Sequence, residues 1–344
     1  MNTRFTKNKK VFIIAEAGVN HNGKLSVAKQ LVDVAIYANA DAVKFQTFKL
    51  GELTGKFAFK VAYQKEATGD NGSRYEMSRQ LALSYKEFAV LQRYCHVKGI
   101  LFLSTPDGYE SLDFLVDKLR MPIIKISSTE MTHLEFLKAA AKKNRPIILS
   151  TGMSTLKEVK RAVKIIKTYN KKELAILHCT TEYPAPYSEV NLKAMVTLGS
   201  VFKTPIGYSD HTIGKETAIA AVALGAKIIE KHFTLNKNLE GPDHKASLEP
   251  HELKDFVSSV RIAEQILGDG IKRPSASEKK NIPGVRRGIV AARYLPKGTI
   301  LKKDMLNYKR PNTGIQPESM DKIIGKKTIK DLEEDEVLRW AYLR

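Results

Sequence analysis

Cysteine, tryptophan and long apolar runs are scarce in this sequence, and the shortages exclude whole classes of protein. The 344 residues include two cysteines, Cys95 and Cys179, and one tryptophan. Two cysteines cannot form the disulfide framework of a small secreted domain, so we expect a reducing compartment, the cytoplasm. No stretch approaches the roughly 18 consecutive apolar residues of a transmembrane helix, so we expect no membrane partner.

Acidic residues are also outnumbered. The chain has 57 Lys and Arg against 37 Asp and Glu, a formal net charge of +20. A strongly basic chain can attract anions, including nucleic acid. The excess is spread along the sequence, however, with no basic arm or stripe. We therefore expect no nucleic-acid partner.

What the sequence has in plenty is a strand-helix rhythm. Short runs rich in Val and Ile alternate with amphipathic stretches such as Leu25–Ala38 and Leu156–Tyr169. Eight such units within about 230 residues predict an α/β fold, a (β/α)₈ TIM barrel over residues 1–267. A doubly wound sheet is the alternative, but no GxGxxG follows the first strand. The predicted strands are Val11–Glu16, Ala42–Gln46, Ile100–Ser104, Ile123–Ile126, Ile147–Ser150, Ala175–His178, Ile206–Tyr208 and Lys227–Glu230.

The composition changes after the predicted barrel. Residues 268–284 are rich in Gly, Pro, Ser and Lys without periodicity, which predicts a linker or exposed loop. Residues 285–344 contain turn signals and two short predicted strands, Gly288–Ala292 and Thr299–Leu301. We expect a small, mostly β domain of a size at which independent folding is marginal.

Polar, ionisable side chains stand at the carboxyl end of every predicted barrel strand. In a TIM barrel these ends meet at one mouth, where the active sites of this fold lie. The residues are Glu16, Lys44, Gln46, Ser104, Lys125, Glu130, Ser150, His178, Ser209, His211, Glu230 and His232. The pattern therefore predicts an enzyme.

A metal site is the first candidate at this mouth. His211 and His232 follow neighbouring strands, and two neutral imidazoles can share a divalent ion while water or substrate fills its other positions. Such a site suits Mn²⁺ or Mg²⁺, with Zn²⁺ and Co²⁺ as alternatives. Either histidine could instead be an ordinary hydrogen-bonded polar residue.

Two lysines flanked by apolar residues are the second candidate. Lys44 and Lys125 would leave ammonium groups inside the barrel, which is unfavourable without an anion. Together with Ser128, Ser150 and Ser209 they would cage a phosphate or a carboxylate. The alternatives are internal salt bridges to Glu16 or Glu230, and a lysine that forms a Schiff base. Glu16 and Glu130 are candidate acid/base groups.

The motifs that carry these residues resemble the bacterial sialic acid synthase family. The likeness runs over nearly the whole chain, through ten strings in order. They are IAEAGVNHNG (14–23), VKFQTF (43–48), FLSTP (102–106), KISSTE (125–130), ILSTGM (148–153), HCTTEYPAP (178–186), GYSDHT (207–212), EKHFT (230–234), GPDHKASLEP (241–250) and YKRPNTG (308–314).

The resemblance implies condensation of phosphoenolpyruvate with an N-acylated mannosamine to a nine-carbon nonulosonic acid, with release of phosphate. The sugar would be N-acetylmannosamine or 2,4-diacetamido-2,4,6-trideoxymannose. It also implies a divalent metal, with Mn²⁺ favoured. A C-terminal antifreeze-like SAF domain is expected to cover the barrel mouth of the partner in a domain-swapped homodimer.

Carried over by position, the resemblance assigns roles to single residues. His211 and His232 resemble the metal ligands, and Glu130 a mechanistic carboxylate beside phosphoenolpyruvate. Arg310 resembles an arginine that the other subunit presents to the acyl group of the sugar. The phosphoenolpyruvate cage is Lys44, Lys125, Ser128, Ser150 and Ser209, and the groups around the sugar are Glu16, Gln46, Tyr183 and Asp243.

Two rival functions stay open. One is a Schiff-base barrel aldolase that uses pyruvate in place of phosphoenolpyruvate. The other is a carbohydrate-binding or ice-binding protein on an inactive barrel. The full set of two histidines, two lysines and three serines argues against the second, because binding alone does not require it.

Overall fold

A computed structural model describes residues 10–68 and 72–344 of the chain. It divides into two compact units, the first ending at Gly268 and the second comprising Asp269–Arg344. The first unit contains all eight predicted barrel strands, and the second contains a small antiparallel sheet.

The first unit is a near-closed barrel of eight parallel strands. The hydrogen-bonded order is β3-β2-β1-β8-β7-β6-β5-β4, so β1 pairs with both β2 and β8. The end strands β3 and β4 lie in contact. The predicted TIM barrel is confirmed, and the doubly wound alternative is wrong. The strands are β1 (Phe12–Gly18), β2 (Ala42–Phe48), β3 (Leu101–Asp107), β4 (Ile124–Ile126), β5 (Ile147–Ser150), β6 (Leu174–Cys179), β7 (Ile206–Asp210) and β8 (Ile228–His232).

Several strands run further toward their carboxyl ends than the apolar runs predict. β3 continues to Asp107 and β8 to His232. The ladder continues because backbone pairing does not depend on side-chain polarity: Ser104 pairs with Phe45 and Asp107 with Phe48. Polar side chains at these ends therefore stand on the rigid sheet, not on loops.

Amphipathic helices surround the barrel. Within α8, Val159, Ala162, Val163 and Ile166 form the buried face, and Thr155 and Glu158 make a capping box at its start. The helices of this unit are α1 (Leu25–Tyr37), α2 (Leu50–Leu53), α3 (Ala62–Thr68), α4 (Arg74–Leu81), α5 (Tyr85–Lys98), α6 (Tyr109–Asp113), α7 (Leu134–Lys142), α8 (Leu156–Tyr169), α9 (Lys193–Phe202), α10 (Glu216–Ala223) and α11 (Pro250–Leu267).

The connection from β2 to α5 carries three short helices, α2, α3 and α4. They are anchored by a small apolar cluster in which Val19, Phe48 and Leu81 are buried and Leu53 and Met77 pack against them. Because Phe48 is the last residue of β2, this cluster fixes α4 beside the carboxyl end of the barrel.

The second unit has its own core, built on Ile289, Leu301, Ile315 and Leu332. Its regular elements are α12 (Ala276–Val285), β9 (Gly288–Ala291), β10 (Leu306–Lys309) and α13 (Met320–Ile323), with β9 and β10 antiparallel.

Two expectations for this region are wrong. Residues 268–284 are not irregular throughout, since α12 begins at Ala276 behind a capping box of Ser275 and Glu278. Thr299–Leu301 is not a strand, because only Ile300 makes an isolated bridge, to Lys327.

Both cysteines are buried and free. In the ranges that the structure describes, no helix combines the length and the apolarity needed to cross a membrane.

Candidate active site

A cavity of about 190 Å³ lies at the carboxyl ends of the barrel strands. Eleven of the thirteen predicted site residues line it, so the structure brings them together. They are Glu16, Lys44, Gln46, Lys125, Ser128, Ser150, Tyr183, Ser209, His211, His232 and Asp243.

The floor of this cavity is a buried network of two lysines and two glutamates. Lys44 Nζ lies 2.8 Å from Glu16 Oε2 and 3.7 Å from Glu230 Oε2. Lys125 Nζ lies 3.5 Å from Glu230 Oε1. Each of the four residues is less than 5% exposed. The predicted alternative of internal salt bridges is therefore present, and Glu230 is the carboxylate that joins the two lysines.

Burial sets the proton equilibria of this floor. Desolvation raises the pKa of Glu16 to about 7, although the Lys44 ammonium opposes the shift. Glu230 is desolvated as well, but Lys125 and Lys44 together lower its pKa to about 2. Burial lowers the pKa of Lys125, whereas the attraction of Glu16 and Glu230 outweighs burial and raises that of Lys44. The floor thus holds one firmly ionised carboxylate and one that titrates near neutrality.

Hydroxyl groups surround the two ammonium groups. Lys125 Nζ donates to Ser150 Oγ at 2.7 Å, and Lys44 Nζ donates to Thr105 Oγ1 at 2.9 Å. Ser209 Oγ donates to Glu230 Oε1 at 2.9 Å. Ser128 Oγ accepts from the Gly152 N–H at 2.8 Å. These groups can bind an anion once it takes the place of Glu16 beside Lys44.

Gly152 leaves the room that this arrangement needs. A Cβ at this position would stand 2.2 Å from Thr181 Oγ1 and 2.9 Å from Ser128 Oγ. Only glycine therefore allows Ser128 to approach the backbone after β5.

The two histidines are neighbours at the mouth, with ring centroids 5.5 Å apart in an edge-to-face arrangement. Burial lowers the pKa of His211 to about 4 and that of His232 well below its usual range, so both rings are neutral at physiological pH. His211 Nδ1 lies 2.6 Å from the carbonyl oxygen of Thr180. Since a carbonyl only accepts, Nδ1 carries the proton and Nε2 keeps its lone pair.

This pair fits a divalent cation. His232 Nδ1 is buried without a hydrogen-bond partner, and Asp243 Oδ2 lies 3.7 Å from it. A carbonyl that fixes the tautomer of a ligating histidine, as Thr180 does for His211, is typical of metal sites. Over residues 10–68 and 72–344, no three His, Cys, Asp or Glu side chains converge on one point. The donors therefore suit an ion that keeps water or substrate ligands, as Mg²⁺ and Mn²⁺ do.

His211 is held from behind by a network that the sequence did not single out. Lys231 Nζ donates to Asp210 Oδ2 at 2.9 Å, and Asp210 Oδ1 accepts from the Thr212 N–H at 2.9 Å. Lys231 is 1% exposed. These bonds fix the backbone on both sides of His211.

The residues predicted to surround a sugar line one side of the mouth. Tyr183 stacks on His211 with ring centroids 4.1 Å apart, and its hydroxyl lies 3.1 Å from His211 Nε2. Gln46 Nε2 donates to Glu16 Oε1 at 3.4 Å. Burial raises the pKa of Asp243 to about 6. Hydroxyl, amide and carboxyl groups together can hydrogen-bond a polyhydroxylated ligand.

Two predicted residues are not on the cavity wall. Glu130 does not line it: its Oε2 lies 2.9 Å from His133 Nδ1, in the turn before α7. Local pairing with His133 therefore turns this carboxylate aside. Arg310 is exposed on the second unit, directly after β10.

The structure also brings to the cavity two charged residues that sequence reasoning missed, Asp107 and Arg74. Asp107 ends β3, three residues past the predicted end of that strand. Arg74 opens α4, and only tertiary packing brings α4 to the mouth. The one available signal was the acidic residue that closes FLSTPD.

Comparison with known proteins places this cavity in a family context. A sequence model described as the NeuB family matches residues 31–272, and one described as the SAF domain matches residues 286–344. The chain is similar to a protein of Campylobacter jejuni named N,N'-diacetyllegionaminic acid synthase, with 47% identity over 96% of this chain and 99% of that protein.

A Legionella pneumophila protein of the same name shares 45% identity, over 96% of this chain and 94% of its own length. Among solved structures, the N-acetylneuraminic acid synthetase of Leptospira borgpetersenii in complex with citrate matches with a TM-score of 0.71 and 38% identity. That match covers 79% of this chain and 90% of the other.

Proposed function

Because the chain belongs to the NeuB family, we propose that it condenses phosphoenolpyruvate with an N-acylated mannosamine to give a nonulosonic acid and inorganic phosphate. The single observation that carries the proposal is the convergence of two ammonium groups, three serine hydroxyls and two neutral imidazoles on one cavity. The similarity to synthases favours this reaction over a Schiff-base aldolase.

Phosphoenolpyruvate binds at the floor of the cavity. Its phosphate and carboxylate replace Glu16 as a partner of Lys44 and join Glu230 around the two lysines, and Ser150 and Ser209 donate to the phosphate oxygens. The pKa of Glu16 is already raised to about 7, so an incoming anion favours its protonation. Protonated Glu16 releases Lys44 for the ligand and becomes a hydrogen-bond donor.

The sugar lies above phosphoenolpyruvate, with its aldehyde toward the histidines. Gln46, Tyr183 and Asp243 bind its hydroxyl groups. His211 and His232 hold a divalent ion, Mn²⁺ in our proposal. When bound, this ion supplies Lewis-acid polarisation of the sugar aldehyde.

Catalysis follows from fixed positions and fixed charges. The CH₂ carbon of phosphoenolpyruvate forms a bond to the aldehyde carbon, water adds to the resulting cationic centre, and the C–O bond to phosphate breaks. The ammonium groups stabilise the phosphate as it leaves. Protonated Glu16 stands beside Lys44 and Gln46, where it can deliver its proton to the aldehyde oxygen as this oxygen becomes a hydroxyl.

Three further points belong to the proposal. The sugar is the 2,4-diacetamido-2,4,6-trideoxymannose that leads to diacetyllegionaminate, as the names of two relatives suggest. The active form is a domain-swapped homodimer in which Arg310 of one copy reaches an acyl group bound to the other. The enzyme works in the cytoplasm, where its two free cysteines stay reduced.

Phosphate release tests the proposal. Purified protein with Mn²⁺ and phosphoenolpyruvate is given N-acetylmannosamine, the diacetamido sugar, or unacylated mannose. We expect sugar-dependent release of phosphate, matched by formation of a 2-keto acid, with at least one acylated sugar. Absence of release with every acylated sugar refutes the proposal.

A further inference from the structure

Asp107 is a buried carboxylate on the cavity wall that the reaction described above does not use. It is 7% exposed and ends β3. None of the residues in the described ranges donates a hydrogen bond to its side chain or forms an ion pair with it within 4.0 Å. Burial, together with the nearby Glu130 carboxylate, raises the pKa of Asp107 to about 7. Its side chain lines the cavity, so a ligand bound there can donate a hydrogen bond to it.

Arg74 is a cation that lines the same cavity and that the reaction does not use. It is half-buried at the start of α4, and its backbone N–H donates to the carbonyl oxygen of Ala58 at 3.2 Å. The positive charge of the Arg74 guanidinium lowers the pKa of Asp107, so these two side chains lie within electrostatic range of each other. Among the described residues its guanidinium has no ion-pair partner. The pair thus offers one acceptor and one donor group to the cavity without contact between them.

An apolar surface adjoins these two charges. Val19, Phe48 and Leu81, with Leu53 and Met77, belong to one apolar cluster, and these five residues line the cavity. This apolar surface suits the methyl group of an acyl chain better than a hydroxyl group.

We propose that Asp107 and Arg74 recognise a second acylamido group of the sugar. A secondary amide has one N–H and one carbonyl oxygen; the N–H donates to Asp107 and the oxygen accepts from Arg74. The methyl group of the acyl chain packs against Met77 and Leu53. The inference rests on the proposed function and narrows it: the site selects diacylated amino sugars over monoacylated ones.

The inference places specificity on β3 and α4, away from the proposed metal ligands. A site built to pair both halves of an amide discriminates strongly against a ligand that lacks the amide, since its polar groups would then stay buried without partners. A monoacylated sugar offers a hydroxyl group at this position. That hydroxyl can donate to Asp107, but it leaves Arg74 without the carbonyl oxygen and the apolar surface without the methyl group.

The test compares two sugars in the full-length protein. The kcat/KM for 2,4-diacetamido-2,4,6-trideoxymannose is divided by that for N-acetylmannosamine, at saturating phosphoenolpyruvate and Mn²⁺. We expect a ratio well above one for the unmodified chain, falling about 10–100-fold in Arg74→Ala and in Asp107→Ala. The fall arises from KM for the diacylated sugar, with KM for phosphoenolpyruvate unaltered.

Arg79→Ala is the matched control. Arg79 stands on the same helix, is exposed and pairs with Glu76, and it does not line the cavity. Its ratio should equal that of the unmodified chain. A cooperative thermal unfolding transition shows that each variant is folded. If Asp107→Ala does not fold, the ratio measured for Arg74→Ala, a change at a half-buried position, tests the inference on its own.

The outcomes separate the two claims. A ratio near one in the unmodified chain, or equal losses for both sugars in Arg74→Ala, overturns the inference and leaves the synthase reaction intact. Absence of phosphate release with either sugar overturns the proposed function, and this inference with it.

Discussion

The Lys44 ammonium lies 2.8 Å from Oε2 of Glu16, and both side chains are almost wholly buried. Neither charge meets bulk water, so each depends on the other. Removing one partner of a buried ion pair is strongly destabilising, whereas replacing both with neutral groups is often tolerated.

This relationship separates stability from catalysis. Lys44→Met should lower the free energy of unfolding by about 3 kcal/mol, because it leaves a buried carboxyl without its counter-charge. Adding Glu16→Gln should restore it to within about 1 kcal/mol of the unmodified chain. Both variants should lose phosphate release. Denaturant unfolding and the phosphate assay check this; a Lys44→Met protein as stable as the unmodified chain would contradict the role of the pair.

His232 tests the metal site. His232→Ala should abolish phosphate release and weaken Mn²⁺ binding measured by titration calorimetry, because only two histidines carry the site. The fold should change little, since His232 Nδ1 has no hydrogen-bond partner to lose. His251→Ala, at an exposed position on α11, is the matched control. Full activity or unaltered Mn²⁺ binding in His232→Ala would refute the ligand assignment.

The homodimer can be tested by complementation. Lys125→Met inactivates the barrel, and Arg310→Ala inactivates the second unit. In a swapped dimer, a mixed pair has one site with both functional parts. After subunit exchange of equal amounts, half the dimers are mixed, so activity should recover to about a quarter of the unmodified level.

Each variant alone must be inactive for this test to hold. An active Arg310→Ala protein would show that the arginine is dispensable. Two inactive variants that exchange subunits and fail to recover would show that each copy uses its own Arg310.

Asp107 makes stability depend on pH. Burial raises its pKa in the folded chain to about 7, against about 3.9 in the unfolded chain, so the folded state binds more protons between these values. Stability therefore falls as pH rises from about 4 to about 7. Asp107→Asn should remove this contribution to the pH dependence. Its free energy of unfolding should be about 2–4 kcal/mol higher than that of the unmodified chain at pH 8 and nearly equal to it at pH 4.

Unfolding curves at pH 4, 6 and 8 check the prediction. Asp243→Asn serves as a comparison, because burial also raises the pKa of that carboxyl, to about 6. If Asp107→Asn raises the free energy of unfolding by the same amount at all three pH values, Asp107 does not titrate in this range.

The barrel could be predicted from the sequence because its strands are buried on both faces and therefore appear as continuous apolar runs. The site was readable because parallel strands present their carboxyl ends at one mouth. Both inferences need only the order of residues along each strand. They therefore survived errors of one to three residues in where strands such as β3 and β8 end.

The positions of Glu130 and Arg74 could not be predicted from the sequence, because they depend on competition between side chains and on long-range packing. Glu130 follows β4 as expected, yet a nearby histidine, His133, takes its carboxylate off the wall. Arg74 reaches the cavity only because Leu81 and Phe48 pack together across more than thirty residues of chain. The first outcome depends on which of several possible partners Glu130 takes, and the second leaves no local pattern.

The central claim is that phosphoenolpyruvate, and not pyruvate, supplies the three-carbon unit, with Lys44 and Lys125 acting as cations. The most direct measurement is intact mass after incubation with pyruvate or with phosphoenolpyruvate and sugar, each in the presence of borohydride. The account predicts an unaltered protein mass in both cases, and, in parallel incubations without borohydride, formation of the 2-keto acid from phosphoenolpyruvate but not from pyruvate. A reduced pyruvyl adduct on either lysine would contradict it.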